Sequence, residues 1–157
     1  MWKKEKITHH AHVFISRNSG AAIIVTLHYN GKGGFLFENE KPVVLQPPLE
    51  PESLGKETLA ALQRTELRRP TSFANRKLRD WPAFNSSKVA SVRQFQQEYI
   101  QISVSGANYA NLVYVVEGEP ALNAELHIVS SISSCVPSTI LGERILLVFA
   151  ACRDRQV

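Results

Sequence analysis

The strongest constraint on this chain is that part of it occurs twice. Lys41 to Arg64, KPVVLQPPLEPESLGKETLAALQR, reads as a buried strand, a proline-set corner and an amphipathic helix, and ELHIVSSISSCVPSTILGERILLVFAAC near the C-terminus reads the same way. In each, an apolar run (Val43, Val44, Leu45; Ile128, Val129, Ile132) leads into a proline-containing loop. The helix that follows carries Leu-Gly near its start, Leu54-Gly55 in one copy and Leu141-Gly142 in the other, 87 residues apart. The same shift pairs Gly31 with Gly118, Val13-Phe14-Ile15-Ser16 with Ile100-Gln101-Ile102-Ser103, and Val25, Leu27 and Tyr29 with Leu112, Tyr114 and Val116. Identities are few; what recurs is hydrophobic pattern, glycine placement and order of elements.

The spacing therefore predicts two β-β-β-α units, about residues 13–64 and 100–151, joined by a basic segment 65–98. Such a unit cannot bury its apolar face alone, so both are expected in one core. The predicted fold is α/β of the α+β type: a single domain over residues 1–157 with a mainly antiparallel central sheet and helices packed on it.

The helices carry the sharpest local signals. Pro51 suits a first helical position, and Glu50 and Glu52 lie where the helix dipole favours acids. Leu54, Thr58, Leu59, Ala61 and Leu62 then gather on one side. Gly55 is out of place, since glycine inside a helix costs about 1 kcal/mol relative to alanine. Its recurrence as Gly142 predicts that both helices approach another backbone closely there, with Leu54 and Leu141 in matching core positions. The last helix, Ser138 to about Cys152, is apolar on more than one side and needs more cover than a sheet supplies.

Strands are expected at His12–Arg17, Ala21–Tyr29, Lys41–Leu45, Glu98–Val104, Asn111–Glu117 and Glu125–Ile132. The continuous run Ala21 to Val25 predicts a central strand covered on both faces, and Leu112 to Val116 predicts the most buried strand of all. Between the units, Trp81-Pro82 and Phe84 are expected to pin the connection to the core, and Ser86 or Ser87 to cap a short helix ending near Ser91.

Composition narrows the function. At 157 residues and 44% hydrophobic, the chain can bury a true core without metal or disulfide. No stretch is long and apolar enough for a membrane span, and the lysine-bearing start lacks a signal-peptide core, which points to the cytoplasm. Cys135 and Cys152 match no metal spacing and are expected as buried reduced thiols. A net charge of +4 is mild, and the basic run between the units reads as a solvated connection before it reads as a binding patch.

Catalytic candidates each have a plainer account. His10 and His12 would share a strand face, with His28 beside them, yet no further ligand follows at metal spacing. Ser130, Ser131, Ser133 and Ser134 lack a nucleophile elbow, and Gly31-Lys32-Gly33-Gly34 lacks the helix-opening end of a phosphate loop. No enzyme, metal or cofactor is expected. Mild basicity and Trp2, Tyr29, Tyr109 and Tyr114 keep a single-stranded nucleic-acid-binding module as the alternative to a protein-binding role.

The phrase Val43-Val44-Leu45, proline loop, Glu52-Ser53-Leu54-Gly55-Lys56-Glu57-Thr58-Leu59-Ala60-Ala61-Leu62 resembles one that immunity proteins of bacterial contact-dependent growth inhibition systems, the CdiI group, carry twice. Here its second occurrence is Leu141-Gly142-Glu143-Arg144-Ile145-Leu146, and the segment Lys88 to Val104 extends the likeness to about Val13–Arg153. The resemblance implies a cytoplasmic, non-enzymatic α/β protein that neutralises one cognate toxin domain of the CdiA-CT type, often a nuclease, by binding it. Inhibitors of nucleases are often acidic, whereas this chain is net basic, so local acids and strand pairing would have to supply recognition. The residues expected at that contact lie in loops after the long strands: Lys32, Glu38, Glu40, Glu117 and Glu119.

Overall fold

Alternation along the first strand, β1 (His10–Ser16), lays out the architecture, because its side chains feed two different cores. Ala11, Val13 and Ile15 belong to a large cluster under the two long helices, while Phe14 belongs to a smaller aromatic cluster on the opposite face. The computed structural model describes residues 6–31, 35–68, 77, 80–120 and 126–155.

Around β1 lies one open sheet. β2 (Ala22–Asn30) flanks it on one side and β6 (Tyr99–Gly106) on the other, followed outward by β7 (Val113–Gly118) and β8 (Ile128–Ser133). Beyond β2 stand β3 (Leu36–Glu38) and β4 (Val43–Leu45), which pair with its two ends, and the two-residue β5 (Leu67–Arg68). Among the described residues the sheet has eight strands, paired antiparallel except for β5 with β2. α1 (Pro51–Gln63) and α4 (Ser138–Asp154) pack side by side on one face. The short α2 (Pro82–Ser87) and α3 (Val92–Glu98) cover part of the other. The result is a mixed α+β domain with a mainly antiparallel sheet.

Contact between α1 and α4 explains the recurring Leu-Gly. A Cβ built at Gly55 would stand 2.6 Å from the Ser138 carbonyl carbon and nearer still to its oxygen; one built at Gly142 would stand 2.7 Å from the Pro51 carbonyl carbon. Pro51 and Ser138 are themselves 87 residues apart, so each helix start rests on the other's glycine. The buried sets obey the same shift: Leu54, Gly55, Thr58, Ala61 and Leu62 against Leu141, Gly142, Ile145, Val148 and Phe149. Most of the apolar surface of α4 is thus shared between the sheet and α1, with Leu147 left outward at 64% exposure.

At the middle of the sheet, Phe14 stands directly opposite Gln101, its partner in the 87-residue register. Further out the register slips. Ile15 lies opposite Ala22, but Ile102 lies opposite Gly118, which displaces β7 relative to β2. Val25, Leu27 and Tyr29 therefore do not match Leu112, Tyr114 and Val116. Nor are Gly31 and Gly118 equivalent: Gly31 takes a turn with φ +67°, whereas Gly118 sits mid-sheet where a Cβ would stand 2.7 Å from the Cys152 Sγ.

Other expectations change for physical reasons. The first unit has a further strand, β3, and the stretch read as one helix near residues 86–91 is two. Lys88 ends α2 in the left-handed region at φ 57°, and Ser91 is not a helix end but the N-cap of α3, its hydroxyl accepting from Gln94 N. β2 is buried along most of its length, as its apolar run requires. β7 is not the most buried strand, because among the described residues no layer covers its outer face: Val113 is 39% exposed. Cys152 is buried, but Cys135 is exposed in the turn before α4. No helix among the described residues is long and apolar enough to cross a membrane. Most of the basic run 64–79 lies outside the described residues.

Candidate functional site

A sheet with helices on one face must cover or solvate the other, and here the second face is divided. Above β1, β2 and the start of β6, Phe14, Ile23 and Val25 meet Ala83 and Phe95 with Trp81, Phe84 and Tyr99 around them. Over β7, β8 and the rest of β6 no helix lies on this face among the described residues. Strand register sets the rows of this open face: His12, Ser103, Glu117 and Val129 stand side by side, and next to them His10, Ser105, Val115 and Ser131. Apolar side chains remain outward on it, with Val113 at 39% and Val129 at 54% exposure.

Acids close one end of this face. Glu117 on β7 and Glu119 just beyond it flank His127, whose Nδ1 is 2.6 Å from Glu117 Oε1 and 3.8 Å from Glu119 Oε1. β8 borders the face on the outside. Among the described residues it pairs with β7 alone, so no strand takes up its other edge. Arg144 on α4 steadies that edge, donating from Nη1 to Ser130 Oγ at 2.6 Å and to the Ser131 carbonyl at 3.4 Å.

Where the covered and open halves meet there is a cleft of about 120 Å³. Phe14, Phe95 and Ile100 line its depth, and Trp81 and Tyr99 its walls. Rings in contact give those walls their shape: Trp81 meets Phe95 edge-on at 4.9 Å between centroids, and Tyr99 meets it at 4.8 Å. Arg17, Gln96, Gln101 and Glu119 complete the lining. Arg17 is fixed in part by donating from Nη2 to the Pro120 carbonyl at 2.8 Å.

Of the residues expected at the contact, Glu117 and Glu119 come together on this face. Glu38 and Glu40 lie far across the sheet, beyond β2. Glu38 is buried, and its Oε2 accepts from Ala83 N at 3.4 Å, so it ties α2 to the sheet. Glu40 faces Arg64 at 3.3 Å and Arg68 at 4.0 Å. Burial works against its charge, but the Thr26 hydroxyl and the Arg64 guanidinium prevail and hold its carboxyl below the usual range. Lys32 lies outside the described residues.

The histidines do not converge. His10 Nε2 meets Thr8 Oγ1 at 2.6 Å and the Tyr29 hydroxyl at 2.8 Å, and His9 Nδ1 meets the Tyr114 hydroxyl at 2.9 Å. His28 points to the opposite face, where its Nδ1 accepts from Glu66 N. A residue on β2 two places from Thr26 shares the α1 side, and this is why His28 cannot stand beside His10 and His12. Burial lowers the basicity of all four, and holds His12 down to about 4. Among the described residues no group of three or more His, Cys, Asp or Glu side chains is placed to hold a metal ion. The reading of the sequence missed the aromatic cleft. Its signal was Trp81, Phe84, Phe95 and Tyr99 recurring in an otherwise polar stretch.

No family model matches the chain, and no curated protein matches it. Solved structures that share its fold include two that cover nearly all of it. A protein of unknown function from Neisseria meningitidis is similar at 18% identity and a TM-score of 0.70, over 97% of this chain and 99% of that one. A chain of the CdiA-CT/CdiI toxin and immunity complex from Yersinia pseudotuberculosis is similar at 11% identity and a TM-score of 0.63, over 93% of this chain and 98% of that one.

Proposed function

We propose that this chain is an immunity protein, which binds a cognate toxin domain of the CdiA-CT type, a nuclease, in the cytoplasm and neutralises it without catalysis of its own. The observation that carries the reading is the likeness, over 93% of the chain, to a chain of a toxin and immunity complex. An inhibitor of this kind needs a rigid surface with features that fix a partner's register, and the open half of the sheet supplies them. The free edge of β8 can add a partner strand, while exposed Val113 and Val129 offer apolar area beside it. Glu117 and Glu119 give a basic partner a local target on a chain that is basic overall. Lys32, Glu38 and Glu40 are the remaining proposed contacts; of these, buried Glu38 could act only through the segment it holds.

The test is protection. Cells that make this protein should survive induction of the toxin domain encoded beside it, and the two purified chains should elute as one complex. Cells that die at the same rate with and without the protein would end the reading.

A further inference from the structure

The cleft at the border of the two half-faces has the chemistry of a seat for one side chain, and we propose that it takes an aromatic side chain with a polar tip, tyrosine or tryptophan, presented by the partner protein. The proposal rests on the immunity reading for the identity of that partner. Its size is of the right order: a closed cavity of about 150 Å³ admits a benzene ring, and this open one measures about 120 Å³. Its depth is apolar, with Phe14 and Phe95 almost wholly buried behind it, while Trp81 and Tyr99 are only half-buried and offer ring surface to an incoming ring.

Polarity at the mouth selects among side chains. Arg17 and Glu119 both line the cleft, so attraction of an incoming charge to one is offset by repulsion from the other, and the cost of desolvating that charge is left uncompensated. A neutral ring meets neither penalty, and its hydroxyl or indole N–H finds the Glu119 carboxylate and the Gln96 and Gln101 amides as partners. The guanidinium of Arg17 is already engaged by the Pro120 carbonyl and is held at the mouth ready to meet a ring face. The cleft also adjoins the open face: Glu119 belongs to both the cleft and the acid pair beside His127. Buried aromatic anchors of this kind carry a large share of binding energy in protein interfaces.

The experiment uses the whole chain and two kinds of partner. N-acetyl-tyrosinamide, N-acetyl-tryptophanamide and N-acetyl-argininamide are titrated to tens of millimolar against the isotopically labelled protein. The expected result is saturable shifts of the Arg17, Gln96, Gln101 and Tyr99 resonances with the two aromatic amides alone. Shifts with none of the probes, or equal shifts with the arginine amide, would overturn the proposal. The second measurement is affinity for the neighbouring toxin domain with Gln101→Trp, a change at an exposed strand position that plugs the mouth. A loss of tenfold or more supports the proposal. Affinity within twofold of the parent rejects it while leaving the immunity reading intact. Should the parent itself not bind the toxin, the immunity reading fails, and the probe titration alone decides whether the seat exists.

Discussion

Replacing Gly55 by alanine tests the packing of the two long helices most directly. In an exposed helix this change would stabilise by about 1 kcal/mol, because alanine is the better helix former. Here the new methyl would stand 2.6 Å from the Ser138 carbonyl carbon and 2.9 Å from Gly142 N, both backbone atoms that no rotamer change can move. Carbon atoms pack at about 3.5–4 Å and the carbonyl oxygen is nearer still, so α1 and α4 would have to part by at least about 1 Å. A gap of that size forfeits a quarter to a half of each dispersion contact it opens, and the contacts concerned are those of Leu54, Leu62, Leu141 and Ile145, all 4% exposed or less. Overpacking alone costs about 1–3 kcal/mol, and the loosened core adds to it, so the net loss should be about 3 kcal/mol or more after the helix gain. For a domain of this size that lowers Tm by about 6–12 °C. Urea unfolding at constant slope, with thermal melts, measures it. Gly142→Ala should match it, and the double variant should cost less than the two losses combined, since helices already parted for one methyl have room for the other. A Tm that rises for both single variants would refute the close approach.

Three further outcomes are expected. Burial holds His12 down to about 4 and lowers His9, His10 and His28, while the unfolded chain takes up these protons near pH 6.5. Stability should therefore be full above about pH 6.5 and fall as the pH drops toward 4, His12 alone contributing up to about 3 kcal/mol; urea midpoints that stay flat from pH 7.5 to 4.5 would contradict this. Glu117→Lys with Glu119→Lys should weaken toxin binding about tenfold and flatten its salt dependence, with Tm within about 2 °C of the parent, as read by titration calorimetry and melts. Phe95→Ala empties the centre of the ring cluster around Phe14, Trp81 and Tyr99 and should cost about 3–5 kcal/mol in urea unfolding; a loss below 1 kcal/mol would mean that α3 is not held by that cluster.

What could be read from the residues follows the range of the forces involved. α1 was legible because a proline at its start and apolar residues at helical spacing are local signals, and Leu-Gly was legible because it recurs. α2 and α3, six and seven residues long, carry too little periodicity to register, although Ser91 with Gln94 three places on is a capping pattern that could have been read. Burial of β7 was misjudged for a different reason. Val113 and Val115 look like core residues in sequence, but whether a sheet face is covered depends on where α2 and α3 land, and nothing within β7 records that. The same non-local placement hides the cleft, whose lining comes from Phe14 and from Trp81, 67 residues further on.

Both seams of this fold join early chain to late chain. β1 pairs along its whole length with β6, from Ser16 opposite Tyr99 to His10 opposite Ser105, and the Gly55 face of α1 is closed by α4, the 17-residue helix that ends the described chain. During synthesis, which proceeds at about 5–20 residues per second, the first half must wait roughly 5–20 s with a bare sheet edge and an open apolar helix face before its counterpart leaves the ribosome. A half-made chain has no stopping place of its own. A stop codon just before α4 should thus abolish folding as completely as deletion of β1, and the cell would hold either finished protein or material for its proteases.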